Sequence, residues 1–198
     1  MKRIPKINMA IVAEGQTEHW YFQMFKRHFP EIPFNIHPVL SFKMSLQQQY
    51  EKVKEFIETY QYVFWIIDAD IIRKKNQITR FRQLKKSLSP YENVYIILLN
   101  PCFEFWLLLH YKRTTKWFKN CQDVTKELKK FLPRYAKTRS YYTSSHQDIL
   151  ARTLPLLNQA MQNSRFTVSQ SPDPFFSGYS EMHVFFEIPF IFQHINRK

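Results

Sequence analysis

The chain has 198 residues, 44% of them hydrophobic and 23% charged, which suffices for one α/β domain with a sizeable core and argues against wholesale disorder. Lys and Arg number 29 against 16 Asp and Glu, a formal +13, and a surplus of this size favours polyanionic partners, nucleic acid first, over a merely basic surface. No run approaches the ~18 apolar residues of a membrane span, the apolar stretch Met9–Ala13 is too short for a signal peptide, and the two cysteines, Cys102 and Cys121, lack CxxC spacing and make no disulfide framework, so a reducing, cytoplasmic compartment is expected.

Along the chain, Ile7–Ala13 reads as a strand that is apolar on both faces. Thr17–Phe29 reads as a helix with Tyr21, Phe22, Phe25 and Phe29 at helical spacing and Thr17 as its N-cap. Phe34–Leu40 is a second strand. Ser45–Tyr60 is an amphipathic helix, and Tyr62–Ile67 is a third, continuously apolar strand. Asn76–Leu88 is a helix with Ile78, Phe81, Leu84 and Leu88 inward, and Val94–Leu99 is a fourth apolar strand. Buried apolar strands alternating with helices indicate a mostly parallel, four-stranded α/β sheet covered on both faces. After residue 100 the pattern turns helical. Asn100 reads as an N-cap with Pro101 at the first helical position of a helix to Tyr111. Asp123–Leu132 and Gln147–Gln162 are further helices, the second kinked at Pro155. Ser169–Gly178 reads as a loop and the aromatic tail Tyr179–Ile195 as helical. With no repeat or linker, residues 1–198 read as one domain, an α/β core over 1–111 and a helical part over 112–198 packed on it.

Three carboxylates follow buried strands. Glu14 comes directly after the first, and Asp68 and Asp70 after the third. In open α/β sheets ligands bind beyond the C-terminal strand ends, so the three converge if strands one and three are neighbours. If the chain stays extended, Asp68 and Asp70 point the same way. Adjacent carboxylates repel unless a cation neutralises them. A hard divalent ion such as Mg²⁺ suits one or two carboxylates, waters and a substrate phosphate, and such ions promote phosphodiester cleavage. A DxD pair alone is weak, because loops after strands are rich in Asp. Glycine is also scarce: there are two, where average usage gives about fourteen. One of them, Gly15, sits beside Glu14 and marks a backbone need there.

Glu14-Gly15 after strand one and Asp68-Ala69-Asp70 after strand three resemble the Toprim signature. Glu14-Gly15-Gln16-Thr17-Glu18 followed by Tyr21-Phe22 resembles the opening motif of the RloB family. Asn100-Pro101-Cys102-Phe103-Glu104-Phe105-Trp106-Leu107-Leu108-Leu109-His110 resembles its NPxFExWLLLH block, and Ser180-Glu181-Met182-His183 more loosely its TxVH segment. The resemblance implies a Toprim-like, Rossmann-like fold and a Mg²⁺-dependent nuclease (Mn²⁺ a substitute) of bacterial anti-phage, abortive-infection type. Such a nuclease would cleave RNA, tRNA by analogy, or DNA, and would be encoded beside an AAA/ABC-type ATPase partner. It implies metal ligation by Glu14, Asp68 and Asp70, and adds Glu18 and Glu104 to the catalytic cluster. The alternative is a non-catalytic basic nucleic-acid-binding or regulatory subunit on the same scaffold. Oligomeric state stays open, a homo-oligomer included.

Several residues carry two readings. Glu104, in the first turn of a helix, either complements the helix dipole or joins the cluster, and Glu18 either caps its helix or reaches the site. His110 lies about 240° round the helix from Glu104, which makes a satisfied core histidine the better reading and leaves acid/base work as the alternative. Arg73-Lys74-Lys75 follow Asp70 and are assigned to phosphate contact, together with Arg134, Lys137 and Arg139 from a basic stretch interleaved with Tyr135, Tyr141 and Tyr142. Ser144-Ser145-His146 with Asp148 gives no basis for a triad, and without a GxxxxGK[ST] loop no P-loop ATP site is expected.

Overall fold

The computed structural model describes residues 7–13, 15–37 and 44–197; Glu14 and residues 38–40 of the expected second strand lie outside them. The chain runs β1 (Met9–Ala13), α1 (Gln16–His28), β2 (Phe34–His37), α2 (Leu46–Ile57), β3 (Tyr62–Asp68), α3 (Ala69–Lys74), α4 (Ile78–Leu88) and β4 (Val94–Asn100). It continues through α5 (Phe103–Leu109), α6 (Cys121–Leu128), α7 (Arg139–Tyr142), α8 (Ile149–Thr153), a 3₁₀ turn (Leu154–Leu156), α9 (Leu157–Gln170), β5 (Tyr179–Ser180), α10 (His183–Phe186) and α11 (Pro189–Ile195). The sheet order is β2-β1-β3-β4-β5, with β1 to β4 parallel and β5 antiparallel to β4.

The period of two along the strands divides the core into two layers. Met9, Ile11, Ala13, Phe64, Ile66, Ile97 and Leu99 face one layer, closed by side chains of α1 and α5 and by Phe185. Ala10, Val12, Val63, Trp65, Ile67 and Leu98 face the other, closed by α2 and α4. Burial on both sides is why these strands read as unbroken apolar runs. The buried Trp65 indole donates to Gln49 Oε1 at 2.8 Å, which places a satisfied polar pair inside the second layer. α2 opens with a reciprocal cap: Gln48 N donates to Ser45 Oγ (3.2 Å) and Ser45 N to Gln48 Oε1 (2.8 Å).

Connectivity fixes where the site forms. From β1 the chain goes out through α1 to the edge strand β2, then returns through α2 to β3 on the other side of β1. Strands one and three are therefore neighbours, with Ala13 in register with Ile66, and the crevice of a doubly wound sheet opens beyond their C-terminal ends.

The structure corrects the sequence reading in several places. The sheet has five strands rather than four. The fifth, Tyr179–Ser180, lies in the tail read as helical, and two residues are too few to leave a periodic trace. The chain does not stay extended after Asp68. It turns at once into α3, with Asp70 N donating to Pro101 O (3.1 Å), so Asp68 and Asp70 do not share a strand face. Thr17 is not the N-cap of α1; Gly15 occupies that position and the helix starts one residue earlier.

Asn100 is not an N-cap. It ends β4 in register with Tyr179, and its amide donates to Pro174 O and Ser177 O (both 2.7 Å), so its side chain is unavailable to a helix. The Asn100–Pro101 peptide is cis, and α5 begins at Phe103 behind Cys102. Pro155 breaks its helix into α8 and α9 through a 3₁₀ turn rather than kinking it, and α9 runs on to Gln170, into the expected loop. Cys102 and Cys121, 19 residues apart with Cα atoms at 5.7 Å, form a disulfide where none was expected. The argument for a reducing compartment from cysteine usage falls with it. Among the described residues no helix is long and apolar enough to cross a membrane.

Candidate metal centre at the strand ends

Three helices begin at the C-terminal end of the sheet, α1 after β1, α3 after β3 and α5 after β4. Each carries a carboxylate in its first turn: Glu18, Asp70 and Glu104. A fourth, Asp68, stands at the N-cap of α3 without capping it. Such positions favour negative charge, but the burial is severe for acids: Glu18 is 3% exposed, Asp70 6% and Glu104 0%.

The carboxylates sense one another. Burial, then the charges of Glu18, Glu104 and Asp70, push the Asp68 carboxyl well above the usual range, against the pull of Lys137. Glu18 is raised to about 7, first by burial and then by the charge of Glu104, with its own backbone N–H, the Thr17 hydroxyl and Lys137 working in the other direction. Glu18 Oε2 and Asp68 Oδ1 are both enclosed without a hydrogen-bond partner. Two buried acceptor oxygens on charge-coupled carboxylates, with no donor to meet them, fit a hard divalent cation.

Lysines meet the other two acids. Lys74 Nζ lies 2.8 Å from Asp70 Oδ2. Lys137 Nζ lies 2.7 Å from Glu104 Oε1, which also accepts from the Tyr135 hydroxyl at 2.9 Å; that hydroxyl is 2.7 Å from the Tyr142 hydroxyl. Glu104 Oε2 faces sulfur: Cys102 Sγ at 3.0 Å and Cys121 Sγ at 2.7 Å. Among the described residues, Cys102, Glu104 and Cys121 are the one set of three ligating atoms within 4.8 Å of one another. The carboxylates of Glu18, Asp68, Asp70 and Glu104 are coupled by charge without three of them lying that close together.

Gly15 explains its own presence. Its backbone is extended (φ −88°), so left-handed freedom is not the reason. The reason is space: a Cβ there would collide with the Glu18 carboxylate, so glycine lets that carboxylate fold back over the start of α1.

The structure gathers Glu18, Asp68, Asp70 and Glu104, while Glu14 lies outside the described residues. Of the six cations assigned to phosphate, Lys74 and Lys137 are engaged with site carboxylates. Arg73 reaches Lys119 O (3.4 Å) with its guanidinium 5.5 Å over Trp117, and Lys75, Arg134 and Arg139 are exposed. The interleaved tyrosines are not a stacking platform, since Tyr135 and Tyr142 are core residues and Tyr141 lies 4.8 Å beneath Arg152. Trp117 is an aromatic open to solvent beside Arg73, 45% exposed between Lys116 and Lys119, and its place among lysines is legible in the sequence. Tyr135 as a partner of Glu104, and Cys121, gave no local sign.

His110 is a core residue, with Nδ1 3.1 Å from Trp106 O and its pKa lowered to about 4 by burial. Asp148 caps α8 through Ala151 N (2.8 Å) and pairs with His28 Nε2 (2.8 Å) on α1, which gives it a structural task and leaves no triad with His146.

A sequence profile described as "RloB-like protein" matches residues 9–185, which includes every described member of the site. No curated protein and no solved structure matches the chain. The profile spans the sheet, both flanking layers and the motif block around Glu104, and the chain belongs to the RloB-like protein family.

Proposed function

We propose that the protein is a Mg²⁺-dependent, Toprim-type nuclease that hydrolyses phosphodiester bonds of RNA or DNA in the cytoplasm, in antiviral defence and alongside an ATPase partner. The observation that carries this reading is the pair of enclosed, partnerless acceptors, Glu18 Oε2 and Asp68 Oδ1, on carboxylates coupled by charge to Asp70 and Glu104. Asp68, Asp70 and, from the sequence, Glu14 are the residues to hold the ion, with Mn²⁺ a substitute of the same hard class. When bound, the cation would neutralise the acids and polarise a phosphate oxygen.

The chain's own groups supply the rest. Glu18, not among the residues assigned to the ion, is placed to take or return a proton, and its raised pKa of about 7 belongs to the metal-free protein. Lys74 and Lys137, paired with Asp70 and Glu104, would be free to turn to phosphate oxygens if a bound cation took over those charges. The +13 surplus holds the rest of the polyanion. The test is Mg²⁺-stimulated cleavage of RNA and DNA, with and without the ATPase encoded beside it, by wild type and by Asp68→Ala with Asp70→Ala. Wild-type cleavage lost in the double variant supports the reading, and no cleavage by wild type in any combination sinks it.

One observation favours a second reading. The Lys74–Asp70 and Lys137–Glu104 pairs neutralise two of the four acids without any metal, as a non-catalytic nucleic-acid-binding or regulatory subunit would require. On that reading the double variant binds nucleic acid and keeps its cellular phenotype unchanged.

A further inference from the structure

Beside the carboxylate cleft, the donors change character. Cys102 (2% exposed), Glu104 (0%) and half-buried Cys121 bring two sulfur atoms and one carboxylate oxygen within 4.8 Å of one another. Mg²⁺ is not selected by such a set, because sulfur ligands discriminate for borderline and soft ions. Two thiolates and a carboxylate with one position left open is a donor set that Zn²⁺ accepts.

We infer that the reduced protein carries a binding site for a thiophilic divalent cation, Zn²⁺ in class, formed by Cys102, Cys121 and Glu104. Three features argue for it. Glu104 is oriented through its other oxygen, which accepts from the Tyr135 hydroxyl, as the outer partners of metal ligands commonly do. The Lys137 ammonium, 3.1 Å from Cys121 Sγ and 2.7 Å from Glu104 Oε1, already supplies positive charge between a sulfur and the carboxylate. The donors also arrive from two separate segments, Cys102 and Glu104 at the start of α5 and Cys121 at the start of α6, and the disulfide already holds both sulfurs beside the Glu104 carboxylate.

The disulfide and the ion exclude each other, because bonded sulfurs cannot both serve as thiolates. A trialkylphosphine and water convert the disulfide into two thiols and a phosphine oxide. The divalent ion then replaces the two thiol protons, which pass to solvent.

The inference does not rest on nuclease activity, and its test reads binding alone. Protein reduced with a phosphine that does not chelate is titrated with Co²⁺, a spectroscopic stand-in for Zn²⁺. The expected result is thiolate-to-cobalt charge-transfer absorption that saturates at one equivalent of sulfur-bound Co²⁺ and is displaced by Zn²⁺. That absorption should be absent from the oxidised wild-type protein and lost in Cys102→Ser and Cys121→Ser, with affinity weakened at least 100-fold. Asp68→Ala should retain it, which separates this site from the carboxylate cleft. The oxidised wild type is a control that needs no substitution and no refolding. Absence of the absorption from reduced wild type overturns the inference, as does its persistence in the oxidised protein or its loss in Asp68→Ala.

Discussion

Lys137 Nζ sits 2.7 Å from Glu104 Oε1, a half-exposed ammonium closing over a carboxylate that solvent does not reach. The lysine therefore stands where a divalent cation would do the same electrostatic work. Lys137→Met should leave Glu104 buried without its counter-charge and cost about 2 kcal/mol. That is less than the ~3–5 kcal/mol of breaking a fully buried pair, because the lysine keeps much of its hydration. Thermal melts should show Mg²⁺ restoring more stability to Lys137→Met than it adds to wild type. Equal Mg²⁺ effects would mean that the ion does not replace this charge.

The acids set a pH dependence whose sign is fixed. Glu18 titrates at about 7 in the folded protein against 4.5 for the free side chain, and Asp68 moves in the same direction. A raised carboxyl favours the protonated folded state. Its contribution is complete below about pH 4.5 and is lost as pH rises through 7. Without metal, Glu18→Gln should be more stable than wild type at pH 8, by up to about 3 kcal/mol, and indistinguishable from it near pH 4. Urea titrations at the two pH values check this, and an unchanged difference between them would contradict the assignment.

Gly15→Ala separates the site from the fold. The added methyl would meet the far end of the flexible Glu18 side chain, which can swing away, so the melting temperature should change by no more than a few degrees. The displaced carboxylate should lower Mg²⁺-stimulated turnover roughly 10- to 100-fold, a loss of the size typical for misplacing one catalytic group. Loss of folding instead would place the requirement in the backbone.

Trp117 gives a handle on substrate. One face of its ring lies under Arg73, and the side chain is 45% exposed four residues before the start of α6. A base stacked on an aromatic is worth about 1–3 kcal/mol, so Trp117→Ala should weaken binding of single-stranded oligonucleotides at least fivefold. The salt dependence, which counts phosphates, should stay the same. Fluorescence anisotropy across a salt series measures both, and unchanged affinity removes Trp117 from the interface.

The fold was legible wherever burial leaves a long period. The doubly buried strands at 9–13, 62–68 and 94–100 and the stripes of α2 and α4 carry that pattern along their whole length. What escaped was short or set by distant partners. β5 is two residues long. α3 has six and follows a strand without a break. Asn100 looks like a cap until the loop at 174–177 takes its amide. The site divided in the same way. Asp68, Asp70 and Glu104 were readable from their places after strands and in a motif block. The Tyr135 hydroxyl on Glu104 and the meeting of Cys102 with Cys121 depend on segments 31 and 19 residues away, and no local pattern encodes them.

β5 makes the tail a structural member of the strand-end carboxylate site without adding a carboxylate to it. Ser180 is in register with Leu99, Leu99 is in register with Asp68, and Leu98 N donates to Glu181 Oε2 at 2.9 Å. Cutting the chain before Tyr179 would strip β4 of its neighbour and open a row of backbone groups to any passing strand. Deletion mapping would then report the last twenty residues as essential, and the inactivity would stem from self-association rather than from missing chemistry. Point substitutions within the strand-end cleft are the informative route on this scaffold, and truncation series should be read first for aggregation and only then for activity.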